Sequence, residues 1–377
     1  MAIKYPIKPW NRPEPTKCEL DYADLTNIDL SKFETEEGKL ELVETIRHAL
    51  TDVGFWIVTN TGFSEEEIEQ QFAIGQAFFD LPLAERQSNP CDFANGGYFG
   101  YRGAWERTIN GTDVKDNMEL LNLPKYTSDY TDAPRHEIFR EHEAIIADFH
   151  RRCWYDVARK LFVLFALAME LPENYFVERH DYQKPSQDHL RYMMYHPRPK
   201  EDDEKCRNLW SWAHTDYGSL TLLFSQTVSG LQVKMPDGEY KDIKPQRGSI
   251  VVNVADTLSF MTKGYLKSTI HRVHRPPPDQ DHIHRVGVIY GCRPNDDTPV
   301  VVAPSPLLKR LGMYTEADAQ VDPSNTVTAA EYVASRVKAV HASSTYGTAP
   351  GTKFKYKGLE VTENYADLKE TGETVSI

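Results

Sequence analysis

Two hydrophobic periods divide the chain. Before about residue 180 the spacing is helical. Leu40, Val43, Ile46, Ala49 and Leu50 fall on one face of 37–53, Gly54 follows, and FWIVTN (55–60) reads as a buried strand. Ser64 with Glu67 is a capping box that opens a helix running to Phe79. A long helix is expected over 134–169, stopped by Pro172, and a last one over 327–341. From about 190 the period shortens. LRYMMYHP, SLTLLF, GLQVKM, SIVVNVAD, STIHRVHR, HRVGVIYG and VVVAP are apolar or alternating runs parted by Gly, Pro and Asp. Pro236-Asp237-Gly238 predicts a hairpin turn. Short strands at this spacing make a sandwich, barrel or jelly roll, with the helices packed on one outer face. Residues 92–135 read as loop, rich in Gly and aromatics, and no linker interrupts the chain. The expectation is one domain over 1–377: a helix-rich part (20–180), a β core (185–305), and a helix with a tail (306–377).

The candidate chemistry lies in the strand-rich part. In AHTDYG, His214 and Asp216 are two residues apart and share one face of an extended chain. Alone, this is also the pattern of a surface hydrogen-bonded pair. In STIHRVHR, His271 and Val273 share a face and His274 takes the other, so His271 is expected to point inward. It could equally be a satisfied core histidine. Two histidines and a carboxylate form a facial set that holds a metal and leaves coordination positions open, and zinc accepts the same set. Arg285, fourteen residues on, shares a face with Gly287 and Ile289. A guanidinium pointing into a β core needs an anion. A structural salt bridge would satisfy it, and so would the far carboxylate of a dicarboxylic cosubstrate.

Composition narrows the class. The formal net charge of −13 gives no electrostatic footprint for nucleic acid or anionic lipid. Five scattered cysteines without a CxxC pair argue against a disulfide framework or a zinc knot. No signal peptide and no membrane-length apolar run is visible, so the expected location is the cytoplasm.

HTDYGSLTLLF, STIHRV and RVGVIY, in that order, resemble the Fe(II)/2-oxoglutarate-dependent dioxygenase superfamily, in the branch that includes isopenicillin N synthase and plant flavonoid and gibberellin oxygenases. IRHALTDVGFWIVTNTG and DNMELLNL (116–123) resemble that branch's N-terminal half, so the likeness spans roughly 20–300. It implies an α+β fold with a double-stranded β-helix (jelly roll) core and mostly N-terminal flanking helices. It implies Fe(II) held by His214, Asp216 and His271, and 2-oxoglutarate held by Arg285 and Tyr195. With O2 as cosubstrate, decarboxylation to succinate would drive oxidation of an unactivated C–H in a small metabolite, giving hydroxylation, desaturation or cyclisation in secondary metabolism. Tyr98, Tyr101, Arg102, Met193 and Phe224 are the expected substrate contacts. Three positions depart from the family pattern. Gly287 stands where the family has a carboxylate-binding serine, PPPDQDHIH lengthens the gap before Arg285, and Met193 replaces an asparagine. An Fe(II) oxidase that uses no 2-oxoglutarate, a zinc hydrolase and a catalytically inactive binding module are the alternatives. Oligomeric state is not encoded in any of these features.

Overall fold

Thr35 caps the first long helix, Glu36–His48, by accepting from Gly38 N, and the helix continues as a π-helical stretch, Ala49–Val53. Gly54 ends it in the left-handed conformation (φ 71°), which a residue without Cβ adopts freely. The chain then enters strand Phe55–Thr59 as expected. The capping box forms too: Ser64 and Glu67 bond reciprocally at the start of helix Glu65–Phe79. The computed structural model describes residues 3–341, 345–347, 351–362 and 374–376.

An eight-stranded sheet has the spatial order Asn27–Asp29, Phe55–Thr59, Ile250–Val254, Leu220–Phe224, Arg285–Cys292, His189–Tyr195, Met118–Pro124, Gly100–Arg102. A four-stranded sheet faces it, in the order Tyr240–Asp242, Leu231–Lys234, His271–His274, Leu209–His214. All neighbours within these two sheets pair antiparallel except the first two strands. This is the jelly-roll core of an α+β protein.

Strand parity sorts the large sheet into two faces. Leu190, Tyr192, Leu222, Phe224, Val252, Val286 and Val288 join the core built with Ile46, Phe72, Phe162 and Phe165 of the helices. Met193 and Tyr195 turn the other way, with Trp210 and Val273 of the small sheet. Phe55, Ile57 and Val251 do the same with Val233. One face therefore packs the helices, and the other closes over the space between the sheets.

Three expectations change. The helix predicted over 134–169 is segmented into Glu137–Glu141, Glu143–Arg152, the π-helical Cys153–Ala158 and Arg159–Ala168. It ends before Pro172, because Leu171 N turns back to Ala166 O and Glu170 takes φ 57°. VVVAP forms no strand: Val300 N bonds Val327 O and Ala303 N bonds Met261 O, so no neighbouring strand pairs with it. Residues 118–124, inside the stretch read as loop, form a fully buried strand of the large sheet.

Candidate metal centre and cosubstrate pocket

His214 is the last residue of its strand, and Thr215 and Asp216 lie just beyond it. The pair therefore does not sit on one strand as the alternation suggested. Asp216 reaches the same point because the chain leaves the sheet there; Asp256 N and Thr257 N hold the loop by bonding Asp216 O and Gly218 O. His271 is the direct cross-strand partner of His214. The two rings lie 4.4 Å apart between centroids. His214 Nε2 is 3.8 Å and His271 Nε2 is 3.7 Å from Asp216 Oδ1. All three offered ligand atoms fall within 4.8 Å of one another.

Neighbouring groups orient each of them. His214 Nδ1 donates to Trp212 O at 2.6 Å and His271 Nδ1 to Thr269 O at 3.2 Å. A carbonyl oxygen can only accept, so both rings carry a proton on Nδ1 and turn Nε2 toward Asp216. Asp216 Oδ2 accepts from Thr221 Oγ1 at 2.6 Å and Asn253 Nδ2 at 3.0 Å, which turns Oδ1 toward the imidazoles. Burial, followed by repulsion from His271, lowers His214 to about 4, so it is neutral at neutral pH. Burial raises Asp216, but His271, His214, Thr221 and Asn253 together outweigh it and hold the carboxyl at about 2. A neutral imidazole and an ionised carboxylate are the protonation states a divalent ion requires. The donor set fits Fe(II), with open positions left over.

A cavity of about 190 Å³ lies against these residues, and Arg285 and Tyr195 also line it. They face each other across neighbouring strands, with the Arg285 guanidinium 5.8 Å from the Tyr195 ring. Arg285 is 3% exposed, its Nε donates to Val228 O at 3.1 Å, and no carboxylate among the described residues ion-pairs with it. Burial lowers it to about 10, which still leaves it charged at neutral pH. A buried cation facing a cavity without its anion fits the far carboxylate of 2-oxoglutarate. At Gly287 an added Cβ would come within 2.5 Å of Gln226 Nε2. That amide donates to Val286 O at 2.8 Å. The space of the expected serine is taken from the neighbouring strand's end by Gln226.

Tyr98 and Met193 line the cavity, while Tyr101, Arg102 and Phe224 do not. Tyr101 turns to the helices and donates to Glu119 at 2.6 Å. Arg102 is buried in an ion pair with Asp116. Phe224 packs on Phe63 and Phe149, because it shares parity with Leu222 and not with the cavity-lining Leu223. Sequence reasoning missed Thr221, Asn253, Gln226, Arg293 and His341; Arg191, which alternation puts on the strand face of Met193 and Tyr195, lines the cavity with them. A polar Asn253 inside the apolar run SIVVNV was the one available signal.

Known proteins share this architecture. Residues 186–294 match the 2OG-Fe(II) oxygenase superfamily, and 25–141 match the family described as non-haem dioxygenase in morphine synthesis N-terminal. A UPF0676 protein of Schizosaccharomyces pombe is 30% identical over 82% of this chain and 90% of its own length. A 2-oxoglutarate-Fe(II) type oxidoreductase of Aspergillus fumigatus is 28% identical over 65% of this chain and 76% of its own. A full-length Neurospora crassa protein solved in complex with alpha-KG superposes with a TM-score of 0.71 at 26% identity, covering 83% of this chain and 95% of that one. The same Neurospora protein has also been solved with thymine bound. The chain belongs to the Fe(II)/2-oxoglutarate-dependent oxygenase superfamily and is an oxidoreductase using Fe(II) and 2-oxoglutarate. Among the described residues no helix is long and apolar enough to cross a membrane.

Proposed function

We propose that His214, Asp216 and His271 hold the iron, and that Arg285 with Tyr195 receives the distal carboxylate of 2-oxoglutarate. The observation that carries this is one cavity containing two Nε2 atoms whose rings are held through Nδ1, a carboxylate oxygen turned toward them, and a buried guanidinium without an ionic partner among the described residues. With both bound, the iron and 2-oxoglutarate supply the oxidising power, consuming O2 and releasing succinate and CO2. The chain's own residues orient and exclude. Trp212 O and Thr269 O fix the ring tautomers, Thr221 and Asn253 keep one oxygen of Asp216 occupied, and Phe55 packs edge-on against His271 at 5.3 Å. Tyr98 and Met193, also on the cavity wall, are proposed substrate contacts. The substrate is a small molecule oxidised at an unactivated C–H, as in a metabolite-tailoring reaction of the cytoplasm; the net charge of −13 supports no nucleic-acid partner.

Asp216 is the one carboxylate among the described lining residues, and the metal set uses it. A zinc hydrolase with this cavity would have no carboxylate base left. Anaerobic titration with Fe(II) and then 2-oxoglutarate tests the assignment. A weak visible charge-transfer band should appear, and it should be lost in His214→Ala and His271→Ala. Fe(II) binding with no effect of 2-oxoglutarate would favour the oxidase alternative instead.

A further inference from the structure

The cavity has a second cationic pole. Arg191 lies four residues before Tyr195 on the same strand and face, so a strand's rise puts it about 13 Å along the wall. Arg293 follows the Arg285–Cys292 strand, with the same parity as Arg285. The ring of Tyr98 lies between them, its centroid 5.1 Å from the Arg191 guanidinium and 4.6 Å from that of Arg293. Arg191 donates through Nε to Asn122 Oδ1 at 2.8 Å and through Nη2 to Tyr98 Oη at 2.5 Å. Arg293 is 4% exposed, and its buried Nη1 has no hydrogen-bond partner among the described residues. No carboxylate among the described residues ion-pairs with either guanidinium. The nearby Asp188 spends its oxygens on Arg293 N (2.6 Å) and Tyr290 Oη (2.9 Å). Asp216 favours the charge of Arg191, but that carboxylate is assigned to the iron. His341, from helix Ala329–His341, adds to the same wall a buried Nδ1 without a partner among the described residues.

Two enclosed cations sharing neutral partners are costly, and cation–π contact with one ring offsets only part of that cost. An anion from outside the chain would complete the site. Arg285 stands at the other end of the wall, so the cosubstrate carboxylate does not reach this pole. We propose that the substrate is a small carboxylic acid whose carboxylate is bound between Arg191 and Arg293 while its remaining carbon skeleton extends toward the iron. This rests on the Fe(II)/2-oxoglutarate reading of the same cavity.

The test uses the full chain loaded anaerobically with Fe(II) and 2-oxoglutarate. Benzoate, phenylacetate and 3-phenylpropionate are titrated against their carboxamides, followed by perturbation of the chelate band and by thermal shift. At least one acid should bind saturably and its amide at least tenfold more weakly. Arg293→Met should weaken the acid tenfold or more while the chelate band still forms, and should raise the melting temperature of the unliganded protein. Equal binding of acids and amides, no saturable binding of any acid, or undiminished binding by Arg293→Met overturns the proposal. A missing chelate band in the unaltered protein overturns the cofactor reading, and the proposal with it.

Discussion

At Arg285 the consequence of one side chain is large because no carboxylate among the described residues ion-pairs with it. Replacing it with Gln removes the charge but keeps a donor. Losing charge-assisted bonds to a carboxylate should weaken 2-oxoglutarate about 10- to 100-fold, with Fe(II) binding unchanged; separate titrations of the two ligands measure both. Asn253 acts one step further out, through Asp216 Oδ2. Asn253→Ala should cost about 10- to 100-fold in Fe(II) affinity, as orienting partners of metal ligands do, while binding of 2-oxoglutarate to the iron-saturated protein stays nearly normal. Gly287 gives the opposite kind of prediction. Restoring the family's serine should not improve the site, since its Cβ would meet Gln226 Nε2 at 2.5 Å. Gly287→Ser should destabilise by about 1–2 kcal/mol through the displaced bond to Val286 O. Adding Gln226→Ala should recover stability in a denaturant titration; a stable single variant would show that the amide gives way freely.

The elements explain which residues could be read in advance. His271 and Arg285 were legible because each sits in a strand whose neighbours alternate, and parity then gives its face. Parity failed at Phe224: SLTLLF is apolar on both faces, since Leu222 and Phe224 meet the helices while Leu223 meets the cavity. Asp216 was placed correctly in space but on the wrong element, because i and i+2 also meet where a chain bends out of a sheet. Thr221 and Asn253 depended on strand Ile250–Val254 pairing with Leu220–Phe224, a non-local contact whose one local sign was the polar Asn253 in its apolar run. Likewise, the burial of Glu119 and Asn122 within Met118–Pro124 comes from the strands that flank it on both sides. Gly54 shows an element boundary reaching the site. It turns the π-helical stretch into the strand that begins with Phe55, which contacts His271. A Cβ there would overlap Lys267 O, at a φ that disfavours side chains. Gly54→Ala should therefore cost about 2 kcal/mol or more, read from the urea midpoint, and should loosen Fe(II) binding through Phe55.

For the molecule as a whole, acid sensitivity follows from histidines buried far from any catalytic role. His150 bonds Tyr182 Oη at 2.9 Å. His180 stacks on Phe162 with 4.0 Å between centroids and bonds both Phe176 O and Ser219 Oγ at 2.7 Å. Burial lowers each of them to about 3. Above the unfolded value of about 6.5 the two rings are neutral in both states and contribute no pH dependence. Below it the unfolded chain takes up protons that the folded protein refuses, so stability is lost as pH falls from about 6.5 toward 3. The slope is about 1.4 kcal/mol per pH unit for each ring. Asp188 and Asp256 oppose this: burial raises both, so the fold takes up their protons before the unfolded chain does, and the net slope is shallower in the lower part of the window. Urea unfolding of the metal-free protein between pH 6.5 and 5 should show the loss. His180→Gln should flatten it by about 1.4 kcal/mol per unit, since its amide cannot take up a proton in either state. A variant with the same slope as the parent would mean that this imidazole already titrates in the fold, and that the packing between the Phe162 helix and the strand-entry residue Ser219 is open to water.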